Sequence, residues 1–450
     1  MLDVRVTAHQ PLALGVRPTG TAPVPTQRHI PGSVLRGALA AAWIAEHGLP
    51  TKVAAHKRQE FIALFEGDVS FGPLLADGSR VVPLSVLRCK YGRCPEVVDE
   101  AFAGPDQGTS CECGPLSSGR GEVEFAPSER RLITQSTHPQ IHDESGVAED
   151  GLLFTRRALT HRDANGMERE FHGRVTPGGD LPTDAANWLS RARPLRLGGR
   201  RGTSGAVTYT SRPAMPVMPE TAQRIALRLT APAILIDSSG LPLDLADLNA
   251  LRDALDAELT TLLGGSQVTR VERVWARRER VGGWHAASRL PKPVELAVSA
   301  GSVLLLRFDR PPSPEALLTL TGRGIGLRRN EGFGALETAT TAWQPAREPQ
   351  PADTDRATAP DLAETYARRL HRTGHGTWFV DNLRTYVEEL DTTAGMRHTG
   401  ILDRPRMGQL TPDDRDAITR MLLTAPVKVL DRTVGMLNAL NRLTDKEDRS

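Results

Sequence analysis

The chain has 450 residues, 39 % of them apolar, with a formal net charge of +2, enough material for two or three domains with ordinary cores. No apolar run reaches the roughly 18 residues of a membrane span. The start, MLDVRVTAHQ, has no charged segment leading into an apolar one, so the cytoplasm is expected and no membrane partner is.

Taken in chain order, LDVRV alternates apolar and charged residues, as a half-buried strand does. IPGSVLRGALAAAWIAEHG then predicts a helix with Ser33 as its N-cap and Gly48 and Pro50 as its stop. From about 66 to 190 the chain is rich in Gly, Pro, Ser and Asp and reads as a long insertion with a few strands. A second unit opens near 222. RIALRLTAPAILID predicts a strand and LDLADLNALRDALDAELTTLLGG an amphipathic helix. QVTRVERVWARR and GSVLLLRFD predict two further strands, SPEALLTLTG a short helix and ALETATTAW a closing strand. The order β-α-β-β-α-β is that of a ferredoxin-like module. Residues 345–360 read as a Pro/Ala/Asp linker. The stretch from 361 to 450 reads as helical, with Thr411 capping a helix that starts with Pro412, Asp413 and Asp414.

Two stretches share an unusual composition. GIGLRRNEGFG (324–334) holds four glycines and the pair Arg328–Arg329, and LRLGGRRGTSGAVTY (195–209) repeats the scheme with Gly198, Gly199, Arg200 and Arg201. Glycine lets a ligand approach the backbone N–H groups, and arginine offers a planar fork for phosphate. Each loop is thus either an anion cradle or a plain glycine turn before a strand. The spacing fits neither a Walker loop nor a dinucleotide fingerprint. A repeated element in two halves favours the cradle and makes 1–210 a first module of the same kind. Charge is also uneven along the chain: RVERVWARRERVGGWHAASR (270–289) has six arginines against two glutamates, a patch able to meet nucleic acid while the whole stays near neutral.

With these motifs in hand, the chain resembles the RAMP superfamily of CRISPR-associated proteins. IPGSVLRGALA is similar to the family's N-terminal glycine-serine helix start. GGW (282–284), AGSVLLL (300–306) and GIGLRRNEGFG are similar to the centre and terminal glycine loop of the 5′-tag-binding subunits of type III-D effector complexes. The resemblance spans about residues 1–343. It implies an α+β fold of two ferredoxin-like (RRM-related) RAMP modules: 1–210, with the insertion, and 222–344. An all-helical C-terminal extension, 361–450, follows the linker. It further implies a cytoplasmic, RNA-binding structural subunit that serves antiviral defence. Its partners would be guide RNA, target RNA indirectly, the large signature subunit and the backbone RAMP subunits. Single-stranded RNA is held through its backbone and by stacking on splayed bases. The expected RNA contacts are Gly32, Ser33, Arg36, Gly198, Gly199, Arg200, Arg201, Trp284, His285, Gly324, Gly326, Arg328, Arg329, Gly332, Phe333 and Gly334. The tail lies outside the resemblance; it is expected to be either a fused small helical subunit, of the kind found in type III complexes, with Arg368, Arg369, Arg372, Arg384 and Arg432 as a basic face, or an ordinary bundle on which these are solvated charge.

All four cysteines, Cys89, Cys94, Cys111 and Cys113, fall between residues 89 and 113. Four thiolates close a tetrahedral zinc site, so a structural zinc in the insertion is expected. The competing function is an endoribonuclease. The histidines are scattered (His29, His56, His138, His142, His161, His172, His285) and no metal-dependent dyad with further ligands is visible. His29, just before the first helix, is the candidate general base. No catalytic residue is expected, and a non-catalytic role is favoured.

Overall fold

The computed structural model describes residues 1–15, 26–90, 96–104, 108, 110–118, 123–124, 132–141, 148–163, 166–179, 181–199, 202–285, 290–345, 353–392, 397, 399–403 and 410–447. The chain divides into two units, Met1–Ala346 and Arg347–Ser450. The architecture is mixed α+β, and among the described residues no helix is long and apolar enough to cross a membrane.

Alternation in β1 (Leu2–Ala8) buries Val4, Val6 and Ala8 and turns Arg5 outward. Against that face lies α1 (Gly32–His47), whose Leu35, Leu39 and Trp43 recur at four-residue spacing and are fully buried. Gly48 ends the helix, as expected, its N–H donating to the Ile44 carbonyl at 2.8 Å. The expected cap is corrected. Pro31, in extended geometry, is the N-cap, and Ser33 lies inside the first turn with no side-chain cap bond. Proline cannot continue the ladder backward, so the helix begins directly after it.

β2 (Ser70–Phe71), β3 (Glu170–Thr176), α2 (Thr183–Ser190), β4 (Arg193–Arg196) and β5 (Ala206–Pro213) complete this half. The antiparallel order is β4-β5-β1-β3-β2, with Leu75–Ala76 as a sixth strand beside β3. β3 and α2 lie within the span read as insertion, 66–190. They belong to the sheet and its cover, because Phe171, Val175, Trp188 and Leu189 are core. The insertion therefore hangs between β2 and β3.

The second half contains β6 (Arg224–Leu229), α3 (Leu248–Leu262), β7 (Val268–Trp275), β8 (Val303–Phe308), α4 (Pro314–Arg323) and β9 (Leu336–Ala339), with the antiparallel order β7-β8-β6-β9. Asp247 caps α3 through the N–H groups of Asn249 and Ala250, and Ser313 caps α4 through that of Ala316. β6 and β8 are apolar on both faces except at Arg224, Arg228 and Arg307, because both faces are largely covered. Ile225, Leu227, Leu304 and Leu306 meet α3 and α4, while Ala226, Val303 and Leu305 meet Ala101 and Phe102 of the insertion.

One buried ion pair fastens that cover. The Asp99 carboxylate, fully buried, accepts from Arg228 at 2.8 Å, from the Trp343 N–H at 2.9 Å, from the Ser85 hydroxyl at 2.6 Å and from the Ala101 N–H at 3.2 Å. The Trp275 indole N–H donates to Glu100 beside it at 2.9 Å. Satisfied on both oxygens, Asp99 does not suffer the penalty of a bare buried charge.

The C-terminal unit has its own core, including Leu370, Phe379, Leu383, Tyr386, Leu422 and Leu437. Its helices are α5 (Asp353–Arg372), α6 (Gly376–Thr392), α7 (Pro412–Thr424) and α8 (Val427–Glu447). Thr411 caps α7 as expected, accepting from the Asp414 N–H at 3.2 Å. α5 begins inside the stretch read as a linker, at Asp353, where the prolines of 345–351 give way to Asp, Thr and Ala. Two arginines of the expected basic face are tied to acids of the same unit, Arg368 to Glu364 and Arg369 to Asp413 and Asp414. Arg372, Arg384 and Arg432 are exposed.

Asp99→Ala leaves Arg228 buried without its carboxylate. It should cost about 3–5 kcal/mol in denaturant unfolding of the full chain. A loss within about 0.5 kcal/mol, the usual range of surface changes, would mean that the pair fastens nothing.

Candidate nucleic-acid interface

The loop 324–334 is shaped by close backbone approach. A Cβ on Gly332, whose φ is +86°, would lie 2.4 Å from the Phe71 carbonyl oxygen and 2.9 Å from the Gly32 Cα. A Cβ on Gly32 would lie 1.7 Å from that same oxygen. The terminal loop of the second half is therefore wedged between β2 and the start of α1 in the first, and only glycine fits at either place.

Around this contact opens a cleft of about 1210 Å³. Its walls bring together Gly32 and Ser33, then Gly198 and Gly199 of the other glycine loop, then Gly332 and Phe333. Six of the expected contact residues, from three distant stretches, thus face one space. The positive end of α1 opens into it with no side-chain cap and no acid in the first turn, which suits an anion. Arg28, Arg280 and Lys292 line it with Glu279 and Glu331. The composition of the patch 270–289 pointed toward Arg280. Nothing local marked Lys292, one of six lysines in the chain.

Three of the five arginines expected to meet phosphate, Arg36, Arg328 and Arg329, make ion pairs within the chain. Arg328, the one described non-glycine residue with positive φ, donates to Glu331 at 2.8 and 3.1 Å and to Glu295, and its guanidinium lies 4.8 Å from the Phe333 ring centre. Arg329 pairs with Glu258 at 3.2 Å, and the Gly326 N–H donates to that carboxylate at 2.8 Å. Arg36 donates to the Phe65 carbonyl and to Glu66. Each of these forks thus has an acidic partner within the chain, which the spacing of the sequence does not reveal. Gly324, Gly326 and Gly334 shape the loop away from the cleft lining. Arg200 and Arg201 lie outside the described residues, as do the side chains of Trp284 and His285. Gly282 and Gly283, just before them, line the cleft. Phe333 is half-buried on Ile234, Val281 and Ala297, a packing role at the cleft edge.

Three titratable groups in the lining are displaced. Burial lowers His29 to about 4, so its ring is neutral at ordinary pH. Glu279 is raised by the desolvating walls around it, against a hydrogen bond from the Ala300 N–H that lowers it. Glu331 moves the other way. Burial raises it, but hydrogen bonds from Arg328 and Lys292 (2.7 Å) outweigh that and hold it at about 2. Lys292, Glu331, Arg328 and Glu295 thus form one chain of alternating charge beneath the cleft.

In the insertion, Cys89, Cys111 and Cys113 have sulfurs within 4.8 Å of one another. They sit in a four-stranded sheet ordered Val97–Asp99, Val86–Cys89, Gly114–Ser118, Ser110–Cys111. Three convergent thiols could hold a metal ion. Cys94 and His142 lie outside the described residues, as does the His138 side chain.

A depressed carboxyl contributes stability above its unfolded value, and the contribution is lost as pH falls through the folded one. For Glu331 that window runs from 4.5 down to about 2. Its share should be roughly 3 kcal/mol. Between pH 7 and pH 3, Glu331→Gln should flatten the fall in unfolding free energy seen for the unaltered chain. Equal slopes would mean that the network adds nothing.

No family model matches the chain, and no curated protein matches it. It is similar to solved structures. One is the type III-B Cmr-beta bound to cognate target RNA, by cryo-EM, at 12 % identity over 67 % of this chain and 86 % of that one, with a TM-score of 0.37. Another is the product of a Cas6-related gene from Pyrococcus furiosus, at 9 % identity over 75 % and 98 %, with a TM-score of 0.30. A third is the CRISPR endoribonuclease Cse3 bound to 19 nt RNA, at 21 % identity over 35 % and 84 %, with a TM-score of 0.20.

Proposed function

We propose that this chain is a RAMP-superfamily CRISPR-associated protein, a non-catalytic subunit that holds the single-stranded 5′ tag of a guide RNA in the cleft. It would serve in a type III effector complex of the III-D kind, with backbone and large subunits as neighbours. The observation that carries the reading is convergence: both glycine loops and the start of α1 line one space. The strand order supports two ferredoxin-like modules. In the second, β7-β8-β6-β9 puts the first and third strands side by side in the middle, and β5-β1-β3-β2 repeats that order in the first. The RNA backbone would approach Gly198, Gly199 and Gly332. A phosphate would meet the N-terminus of α1, and Arg280 and Lys292 would add charge.

Gly199→Glu puts a bulky carboxylate into the cleft at a position whose Cβ has nearly free space, the nearest atom lying 3.9 Å away. It should weaken binding of repeat-derived RNA at least about tenfold with unchanged melting. Unchanged affinity in a fluorescence-anisotropy titration would refute the cleft as the RNA site.

A second reading, an endoribonuclease, is favoured by the neutral His29 and the raised Glu279 sharing the lining, since displaced pKa values gather at catalytic sites. Incubation with repeat RNA, with and without Mg²⁺, separates the two. Site-specific cleavage abolished by His29→Ala would overturn the scaffold.

The three thiols, with Cys94, would hold a structural zinc. The strand bearing Cys89 pairs with the one that ends in Asp99, so the ion would brace the hairpin that covers the second sheet. Metal analysis should find about one zinc per chain. Cys111→Ser with Cys113→Ser should lose it and lower the melting temperature. A metal-free preparation that melts unchanged would exclude the ion.

A further inference from the structure

The patch 270–289 is only partly explained by the cleft, which takes Arg280 and Gly282–Gly283. Its earlier arginines lie in β7, an edge strand. β7 carries two bulges against β8, between Val268 and Arg270 and between Val271 and Arg273. Each bulge re-aims the following side chain. Val268, Val271 and Val274 keep to the helix side, whereas Arg270, Arg273 and Trp275 share the opposite face. On that face Arg270 stands opposite Arg307, and Arg307 opposite Arg224. The insertion covers the neighbouring half of the same face with Ala101 and Phe102 and leaves this row open. Side-chain exposure is 40 % for Arg224, 50 % for Arg307 and 56 % for Arg273.

The row holds four arginines against two glutamates. Glu272 takes Nε of Arg224 at 2.8 Å and Nε of Arg307 at 2.7 Å, and Glu100 lies 3.7 Å from Arg273. The guanidinium planes are also backed by rings, Arg273 over Trp275 at 4.5 Å and Arg224 over Phe102 at 5.7 Å. Arginines that lie over aromatic rings and stay about half exposed fit phosphates and unstacked bases.

We propose that this arginine row is a second nucleic-acid contact, a track that receives the same single strand where it leaves the cleft. The inference rests on the cleft reading above. The chain itself links the two places, since the segment that follows β7 reaches Arg280 in the cleft lining. A single strand is favoured over an acidic protein partner by this continuity and by the ring-backed guanidinium planes.

The test uses the full chain and 5′-fluorescein-labelled oligouridylates of about 6 and about 20 nucleotides, the shorter filling only the cleft. The unaltered protein should bind the longer RNA at least about tenfold more tightly. Arg270→Ala with Arg273→Ala should remove most of that gain and lower the log-log salt slope by about 1.4, roughly 0.7 for each lost contact to a single strand. Affinity for the short RNA and the melting temperature should stay unchanged, and Arg270→Lys with Arg273→Lys should restore the slope. Long-RNA binding that is unaltered in the alanine variant, or that falls no more than short-RNA binding, overturns the track and leaves the cleft reading standing. Failure of the unaltered protein to bind either RNA overturns both. Retention of an acidic protein by the row, without an RNA effect, also overturns the track.

Discussion

The contact of Gly32, Phe71 and Gly332 is the constraint on which the geometry of the site depends. Three backbone segments meet where a single Cβ would lie 1.7 Å or 2.4 Å from a carbonyl oxygen. No side chain can be accommodated without moving a strand, a helix start or the loop. The meeting point joins the first half to the second and seats the start of α1 beside the terminal loop. Gly32 and Gly332, which meet there, also line the cleft. The glycines that shape it are thus doubly constrained, by packing behind and by the open space in front.

The second sheet is built to be covered. A strand such as β6, apolar at every position but Arg224 and Arg228, cannot face water. Its helix side is closed by local chain, while its other side is closed by an insertion that departs between β2 and β3 of the first half. Such a cover has no propensity of its own to stay in place. The Asp99–Arg228 pair and the Glu100–Trp275 bond supply direction where the small patch around Ala101 supplies only area. What remains uncovered is the arginine row, where the strand is bulged and charged. Bulges and charge at an edge also protect against pairing with another chain.

Several arginines of the described residues are used internally. Arg36, Arg228, Arg328 and Arg329 each have an acidic partner within the chain. Acids are nearly as plentiful as bases, 54 against 56, which keeps the net charge small and supplies these arginines with partners. Pairing also separates two uses of arginine, as a strut between loops and as an open fork on a surface. Arg328 and Arg329 are such struts, tying the terminal glycine loop to Glu295 and Glu258.

Much of this was legible in the sequence by itself. Alternation in LDVRV, the helical apolar pattern after Ile30, the cap at Thr411 and the β-α-β-β-α-β order are set by short-range propensity and periodicity, which a single strand or helix expresses. The two glycine-arginine loops and the cysteine cluster stood out for the same reason. The tertiary structure alone decided what those residues do. Arg328 looked free because Glu295 is distant in the chain, and Glu331, three residues on, shows its orientation only once the backbone turns through positive φ. β3 and α2 looked like insertion because their core partners lie in β1 and α1. Pro31 displaced Ser33 as the cap through its own backbone geometry. The cleft could not be read locally at all, since its walls come from segments far apart in the chain. A long charged side chain reaches whichever partner the fold brings near, and that depends on contacts no local window contains.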